Sequence, residues 1–257
     1  MGKKAILVVS VGTSYQETRE KTITAIENSL QNAFSDYAVY RAFTSKKIKQ
    51  KMEREGIFVF DVQEALEQMF LDGVTELLVQ PTHITNGKEY GLMLEIVQPY
   101  LDRFQIVRHG QPLLASQVDY KELATIFYRE YPVEEDEVLV LMGHGSKYHA
   151  NAGYATFADV LCDMDYQNIL VGTVKGQPTF SEVKKQLKEK KIKKVCLAPM
   201  MIVAGNHATN DMIGEKASWK AELEREGYQV RYDMKGLGEL VAVQNMFIRH
   251  AKEALGS

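Results

Sequence analysis

Three side chains able to bind a cation or move a proton stand at matched places in this chain. His144 lies between Gly143 and Gly145 in MGHGSK (142–147), directly after the apolar run EVLVLM. Glu89 closes PTHITNGKE and His207 closes PMMIVAGNH. Imidazole and carboxylate together suit borderline divalent cations such as Co2+, Ni2+, Zn2+ or Fe2+, and both can serve as bases near neutral pH. Each residue alone has an ordinary explanation. A histidine after a strand commonly caps a helix or contacts a loop. Glu89 sits where the first turn of a helix favours an acid, and His207 fits a cap for a helix opening at NHATND.

Their spacing argues for more. The stretches VVSVGTS and VLMGHGS align when Gly12 is set on Gly145, which puts Val11 on His144 and Thr13 on Ser146. The stretches LLVQPTHITNGKE and VCLAPMMIVAGNH align when Pro81 is set on Pro199. Gly87 then falls on Gly205 and Glu89 on His207. Both have the form strand, proline, five residues, glycine, one residue, polar side chain. Two such matches in the same order indicate a duplicated domain.

The elements that must position these residues are legible. Apolar runs at 5–10, 37–43, 76–81, 104–109, 137–142, 168–173, 194–199 and 228–233 read as strands, and amphipathic stretches fill the gaps. Helix starts are marked by the capping boxes Ser14–Glu17, Asp61–Glu64 and Thr179–Glu182. Strands alternating with helices predict an α/β protein: two similar domains, each a parallel sheet flanked by helices, with a cleft between them. The strands are apolar on both faces, as doubly covered sheets require. The run EYPVEED (130–136), with Pro132 and four acids, is the nearest thing to a linker. It divides the chain into 1–130 and 131–257, with a C-terminal helix at about 238–254 expected to pack back on the first half. A pseudo-twofold relation would let His144, His207 and Glu89 face one another across the cleft, beyond the carboxyl ends of the strands, where open α/β sheets take their ligands.

Composition excludes several classes. The chain has 257 residues, 45% hydrophobic and 25% charged, with a net charge of −3, so no global basic surface points to nucleic acid. Two cysteines far apart, Cys162 and Cys196, make no CxxC pair and no disulfide framework. Cys196, in KKVCLAP, reads as a buried strand residue. The N-terminal run KKAILVVSVG is too short for a membrane span and shows no cleavage pattern. Ile6 stands where a myristoylation motif wants Ser or Thr. A cytoplasmic protein with no membrane partner is expected. A homo-oligomer is compatible with the sequence, which does not fix the assembly.

Taken in order, KKAILVVSVGTSYQETREKTI, RAFTSK, VQPTHITNGKEY, MGHGSKYHANAGY, VGTVKGQP, MIVAGNHATNDMIG and SWK resemble the anaerobic-pathway cobalt chelatases of cobalamin biosynthesis, over residues 3 to about 245. The resemblance implies a class II chelatase fold and a lyase of tetrapyrrole (porphyrin-type) biosynthesis. Such an enzyme inserts Co2+ into sirohydrochlorin without ATP, and the substrate metal is its only expected cofactor. It also implies that His144 is the catalytic histidine, His207 a second metal-binding histidine, and Glu89 the active-site glutamate. Sirohydrochlorin is a flat apolar ring edged with carboxylates, so donors are expected around it. The loops SVGTSY, THITNGK and GHGSK offer Ser10, Gly12, Thr13, Ser14, Thr85 and Ser146 as substrate-binding residues. Lys88, Lys147 and Lys175 lie near the same rim. The glycines flanking His144 are expected to let the ring lie against the backbone.

There are two departures from the family pattern. Lys175 stands where relatives read GTVEG, and Val11 stands where an aromatic is common. Lysine is no anionic ligand, so metal preference between Co2+, Fe2+ and Ni2+ stays open. Two other readings remain: a non-enzymatic tetrapyrrole or metal carrier, and a histidine phosphatase suggested by Arg108-His109-Gly110. The latter motif follows the fourth strand here, whereas phosphatases carry it after the first.

Overall fold

The computed structural model describes residues 2–145 and 152–256. The elements of the first half are β1 (Lys3–Ser10), α1 (Gln16–Arg19), α2 (Ala25–Ala33), β2 (Tyr37–Phe43), α3 (Lys46–Arg54), α4 (Val62–Leu71), β3 (Val74–Pro81), α5 (Lys88–Val97) and β4 (Ile106–His109). A π-helical stretch, Glu20–Thr24, joins α1 to α2. There follow α6 (Gln117–Glu130), β5 (Glu137–Gly145), α7 (Ala152–Asp163), β6 (Ile169–Lys175), α8 (Phe180–Glu189), β7 (Lys194–Met200), α9 (Trp219–Arg225), β8 (Gln229–Tyr232) and α10 (Val241–Leu255). All eight strands read from the sequence are present.

The strands form two four-stranded sheets, β2-β1-β3-β4 and β6-β5-β7-β8, parallel throughout and identical in order. The register supports the duplication residue by residue. Val9 pairs with Pro81 in the first sheet and Met142 with Pro199 in the second. Setting one proline on the other therefore sets Val11 on His144 and Gly12 on Gly145. Both of these glycines have positive φ, +97° and +68°. After the prolines, the N–H of Gly87 donates to the carbonyl of Thr85 at 2.8 Å, and that of Gly205 to Val203 at 2.9 Å. The N–H of Gly91 bonds Gly87 as that of Thr209 bonds Gly205. Glu89 and His207 thus occupy equivalent positions, each in the first turn of a helix.

Two compact units result: residues 1–115 with 238–257, and residues 116–237. In the first, one face of the sheet (Leu7, Val9, Leu77, Val79) is buried with Leu66, Met69 and Met93 of α4 and α5. The other face is covered by α2 and by α10, which also packs on β3 and β4. Ile6, Val8 and Leu78 of the sheet and Val243 and Phe247 of α10 are fully buried. Burial on both faces is why β1 reads as an unbroken apolar run. In the second unit Val140, Met142 and Leu197 pack with Val183, Trp219 and Leu223, and Cys196 is fully buried as expected.

The division expected at 130 and 131 is displaced. The acidic run there is not a linker, because it is tied into the second unit. Arg231 grips Glu137 with Nε and Nη2 at 2.7 and 2.8 Å and donates to the carbonyl of Pro132 at 3.0 Å. Lys194 holds Glu134 at 2.7 Å and Asp136 at 3.1 Å. The preceding α6 already packs on α7. The last helix returns to the first unit, as the sequence suggested.

Two of the three expected capping boxes form, Asp61–Glu64 and Thr179–Glu182. The third, at Ser14, does not. The N-cap of α1 is Tyr15, without a side-chain bond, because the hydroxyl of Thr13 takes the Tyr15 N–H at 3.2 Å. A box the sequence reading missed, Ser116–Asp119, opens α6. The RHG triplet is structural: Arg108 pairs with Glu76 at 3.5 Å, and Gly110 continues the ladder to Val79.

Candidate metal centre

Strand β5 runs three residues past the expected end at Met142, so His144 is the penultimate residue of a strand rather than a loop residue. Neighbouring Gly145 pairs with Lys175 at the end of β6. The side chain of His144 is exposed while Gly143 and Gly145 on either side are buried. Its Nδ1 lies 2.9 Å from the carbonyl oxygen of Gly145. A carbonyl only accepts, so Nδ1 carries the hydrogen and Nε2 keeps its lone pair.

His207 enters a π-helical turn, Ala208–Met212. That turn brings Asp211 back beneath the ring, with Oδ2 2.5 Å from Nδ1. The carboxylate accepts, so Nε2 of His207 is again the free nitrogen. A carboxylate behind a ligating imidazole fixes its orientation and raises its basicity. The two rings stand edge to face with centroids 4.6 Å apart and planes inclined by 67°.

The protonation of His144 follows from its surroundings. Crowding by protein atoms, then the His207 ring, lowers its pKa from the ordinary value, and the Lys175 ammonium adds to this. The Gly145 carbonyl and Asp211 oppose it. The net effect is downward, so His144 is neutral at pH 7 and its lone pair is available to a metal or a proton. Two imidazoles, each with Nδ1 tied back, make half of a ligand set. Among the described residues no group of three or more His, Cys, Asp or Glu is arranged to hold a metal ion.

The flanking glycines have an intramolecular explanation, contrary to the expectation that they clear space for a ring. A Cβ on Gly143 would lie 2.3 Å from the Tyr154 ring, and one on Gly145 would lie 2.0 Å from the Lys175 carbonyl oxygen. Tyr154 is buried. The backbone amides of His144 and Gly145 favour its phenolate, but burial prevails and pushes the phenol up to about 12. The phenol therefore stays neutral under the strand end that carries His144.

The other expected residues are placed as follows. Glu89 is exposed in the first turn of α5, in the first unit. Lys175 is exposed at the end of β6, beside the histidine pair. Ser10 is buried and its hydroxyl accepts from Thr82 at 2.8 Å. Thr13 is also buried, with its hydroxyl turned to Tyr15. Gly12, Ser14 and Thr85 are partly exposed on the loops after β1 and β3, and Lys88 is exposed at the start of α5. Ser146 and Lys147 lie outside the described residues. Asp211 and Tyr154 were missed. The i, i+4 spacing in HATND is the signal that could have found Asp211, whereas nothing local marks Tyr154.

Two doubled parallel sheets of identical order, with an imidazole pair at the strand ends of one, define a chelatase-type fold. Two solved structures share it. SirB from Bacillus subtilis with Fe3+ is 16% identical, with a TM-score of 0.62 over 98% of this chain and 95% of its own. CbiX, described as the terminal enzyme for biosynthesis of siroheme in denitrifying bacteria, is also 16% identical, with a TM-score of 0.61 over 98% and 99%. The chain belongs to the cobalt chelatase (CbiK) family, whose model matches residues 4–256. It is 36% identical to the sirohydrochlorin cobaltochelatase of Salmonella typhimurium over 98% of this chain and 97% of that one. It is 29% identical to sirohydrochlorin cobaltochelatase CbiKC of Nitratidesulfovibrio vulgaris over 100% and 92%.

Proposed function

We propose that this chain is a sirohydrochlorin cobaltochelatase. Co2+ enters the ring as two pyrrole N–H protons leave, so charge balances and no ATP is needed. The observation that carries the reading is the His144–His207 pair, each ring with Nδ1 tied back and Nε2 free. In this reading both histidines bind the incoming metal, and Glu89 is the third ligand and an acceptor of protons. Neutral His144 takes a pyrrole proton as the metal transfers. Loss of the hydrated metal's water is offset by the imidazoles, and the partly bound metal makes the remaining N–H more acidic. Lys175, with Gly12, Ser14, Thr85 and Ser146, meets the carboxylates at the ring edge.

A sister activity with Fe2+ or Ni2+ is the second reading, because Lys175 puts a cation rather than an anionic ligand beside the imidazole pair. The test is an anaerobic absorbance assay of sirohydrochlorin with Co2+, Fe2+ and Ni2+ in turn. Many ring equivalents metallated per protein are expected, fastest with Co2+. A single equivalent would indicate a carrier. Lys175→Glu is expected to change the ratio of Co2+ to Fe2+ rates severalfold; an unchanged ratio removes position 175 from metal choice.

A further inference from the structure

Arg19, at the end of α1, is the one arginine among the described residues that is buried, with 8% of its surface exposed. Buried guanidinium groups are rarely left without a carboxylate. Several other arginines hold a carboxylate although their side chains are more exposed. Arg41 at 31% holds Glu27, Arg103 at 35% holds Glu67, and Arg231 at 53% holds Glu137. Among the described residues Arg19 has no such partner. Its one hydrogen bond is a long one, from Nη1 to the carbonyl of Thr13 at 3.3 Å. The acids closest in sequence are engaged elsewhere, Glu17 by Lys21 and Glu20 by Gln16.

Its unused nitrogens are not sealed in. Its remaining N–H groups find no further acceptor among the described residues. The location is also informative. Thr13 belongs to the loop after β1, where Gly12 has positive φ and sits so tightly on Phe43 that a Cβ would come within 2.5 Å of that ring. This rigid turn lies at the carboxyl end of a central parallel strand, the ligand side of such sheets. A guanidinium offers a planar fork that matches a carboxylate with two parallel hydrogen bonds.

We infer that Arg19 and the loop Gly12–Ser14 form a carboxylate-binding subsite in the first unit, which takes one acidic side arm of the tetrapyrrole. The inference rests on the proposed ring substrate and adds to it a charged anchor that the sequence reading did not single out. Arg19 touches no reacting atom in this scheme. It holds the ring, so it acts on ring affinity and not on the metal.

The test is metal-free ring binding, read by fluorescence quenching, together with steady-state insertion of Co2+. Arg19→Met keeps the buried stem and removes the charge. Its ring Kd and ring KM are expected to rise about 10–100-fold, the loss of one charge-assisted bidentate contact. The KM for Co2+ and the kcat at saturating ring should stay within about threefold. Arg19→Lys should recover part of the affinity, because it restores the charge without the fork. Unchanged ring affinity in Arg19→Met overturns the inference, as does an Arg19→Lys protein as weak as Arg19→Met. Tight capture of citrate by the wild-type protein would assign the site to small free anions and would also overturn it. If Arg19→Met fails to fold, Arg19→Gln is read in its place; if neither folds, Arg19 is structural and the inference falls. A wild-type protein that neither binds nor metallates the ring would instead refute the functional reading itself.

Discussion

His144 and His207 differ in what lies behind each ring. A backbone carbonyl holds the first and a carboxylate holds the second. Replacing His144 by Ala removes an exposed ring and little core, so the fold and ring binding should persist. Turnover should fall about 10²–10⁴-fold, the usual cost of a lost base, with any lost metal affinity added. Near-wild-type turnover in the initial-rate assay would remove His144 from the chemistry. Asp211 makes a different prediction. Asp211→Asn keeps the shape but weakens the hold on the His207 Nδ1 hydrogen. The KM for Co2+ should rise about 10–100-fold, with ring Kd unchanged and partial recovery in Asp211→Glu. An equal fall in metal and ring affinity would mean that Asp211 only supports the turn. The histidines were legible because glycine and proline spacing framed them. Asp211 was marked only by its i, i+4 spacing from His207 in HATND, a spacing that many helical pairs share.

At the scale of elements, the strand ends decide what is presented. The inner strands could be read because burial on both faces writes a continuous apolar run, and the more exposed edge strands β4 and β8 by their alternation with helices. The extension of β5 through His144 could not, because its last residues are glycine and histidine and are held by pairing with β6. The segment after β3 has a related property. The carbonyls of His83 and Ile84 accept from Leu113 and Leu114 at 2.8 Å, lacing the segment down. The buried His83 ring meets Tyr90 edge-on, and neither of its nitrogens has a partner. Burial pushes its pKa down from 6.5 to about 4. The unfolded chain therefore binds a proton that the folded chain refuses between those values. Stability should be full above pH 6.5 and fall as pH drops towards 4, by up to ~3 kcal/mol from this group. Urea unfolding midpoints at pH 7 and pH 4.5 measure it. His83→Phe should flatten the difference, and an equal slope in that variant would place the acid sensitivity elsewhere.

For the whole molecule, the duplication was legible as two short matched motifs, and the common strand order and register carry it through both sheets. The division was misread because a proline and four acids resemble a linker when Arg231 and Lys194, about 60 to 100 residues away in the chain, are out of view. The first unit is discontinuous. It needs α10, whose Val243, Met246, Phe247 and Ala251 are fully buried. Burial of the Val, Met and Phe side chains contributes about 1.5–3 kcal/mol each, a gross gain large beside the narrow net stability of a domain. A chain ending at residue 238 should lose the first unit's cooperative transition in calorimetry and bind dye at its uncovered sheet, while the second unit still melts as a unit. Loss of both transitions together would show that the units do not fold independently.

That interrupted connectivity also imposes a schedule on synthesis. Domains are generally completed in the order in which the ribosome releases them. Here residues 116–237 are contiguous and can close as soon as they emerge, whereas residues 1–115 wait for the last 20 residues to arrive. The nascent N-terminal sheet is made first, yet until α10 emerges one apolar face has only α2 to cover it. Chaperone dependence, and sensitivity to slow codons in the stretch encoding residues 238–257, should therefore concentrate in the half of the protein that is oldest.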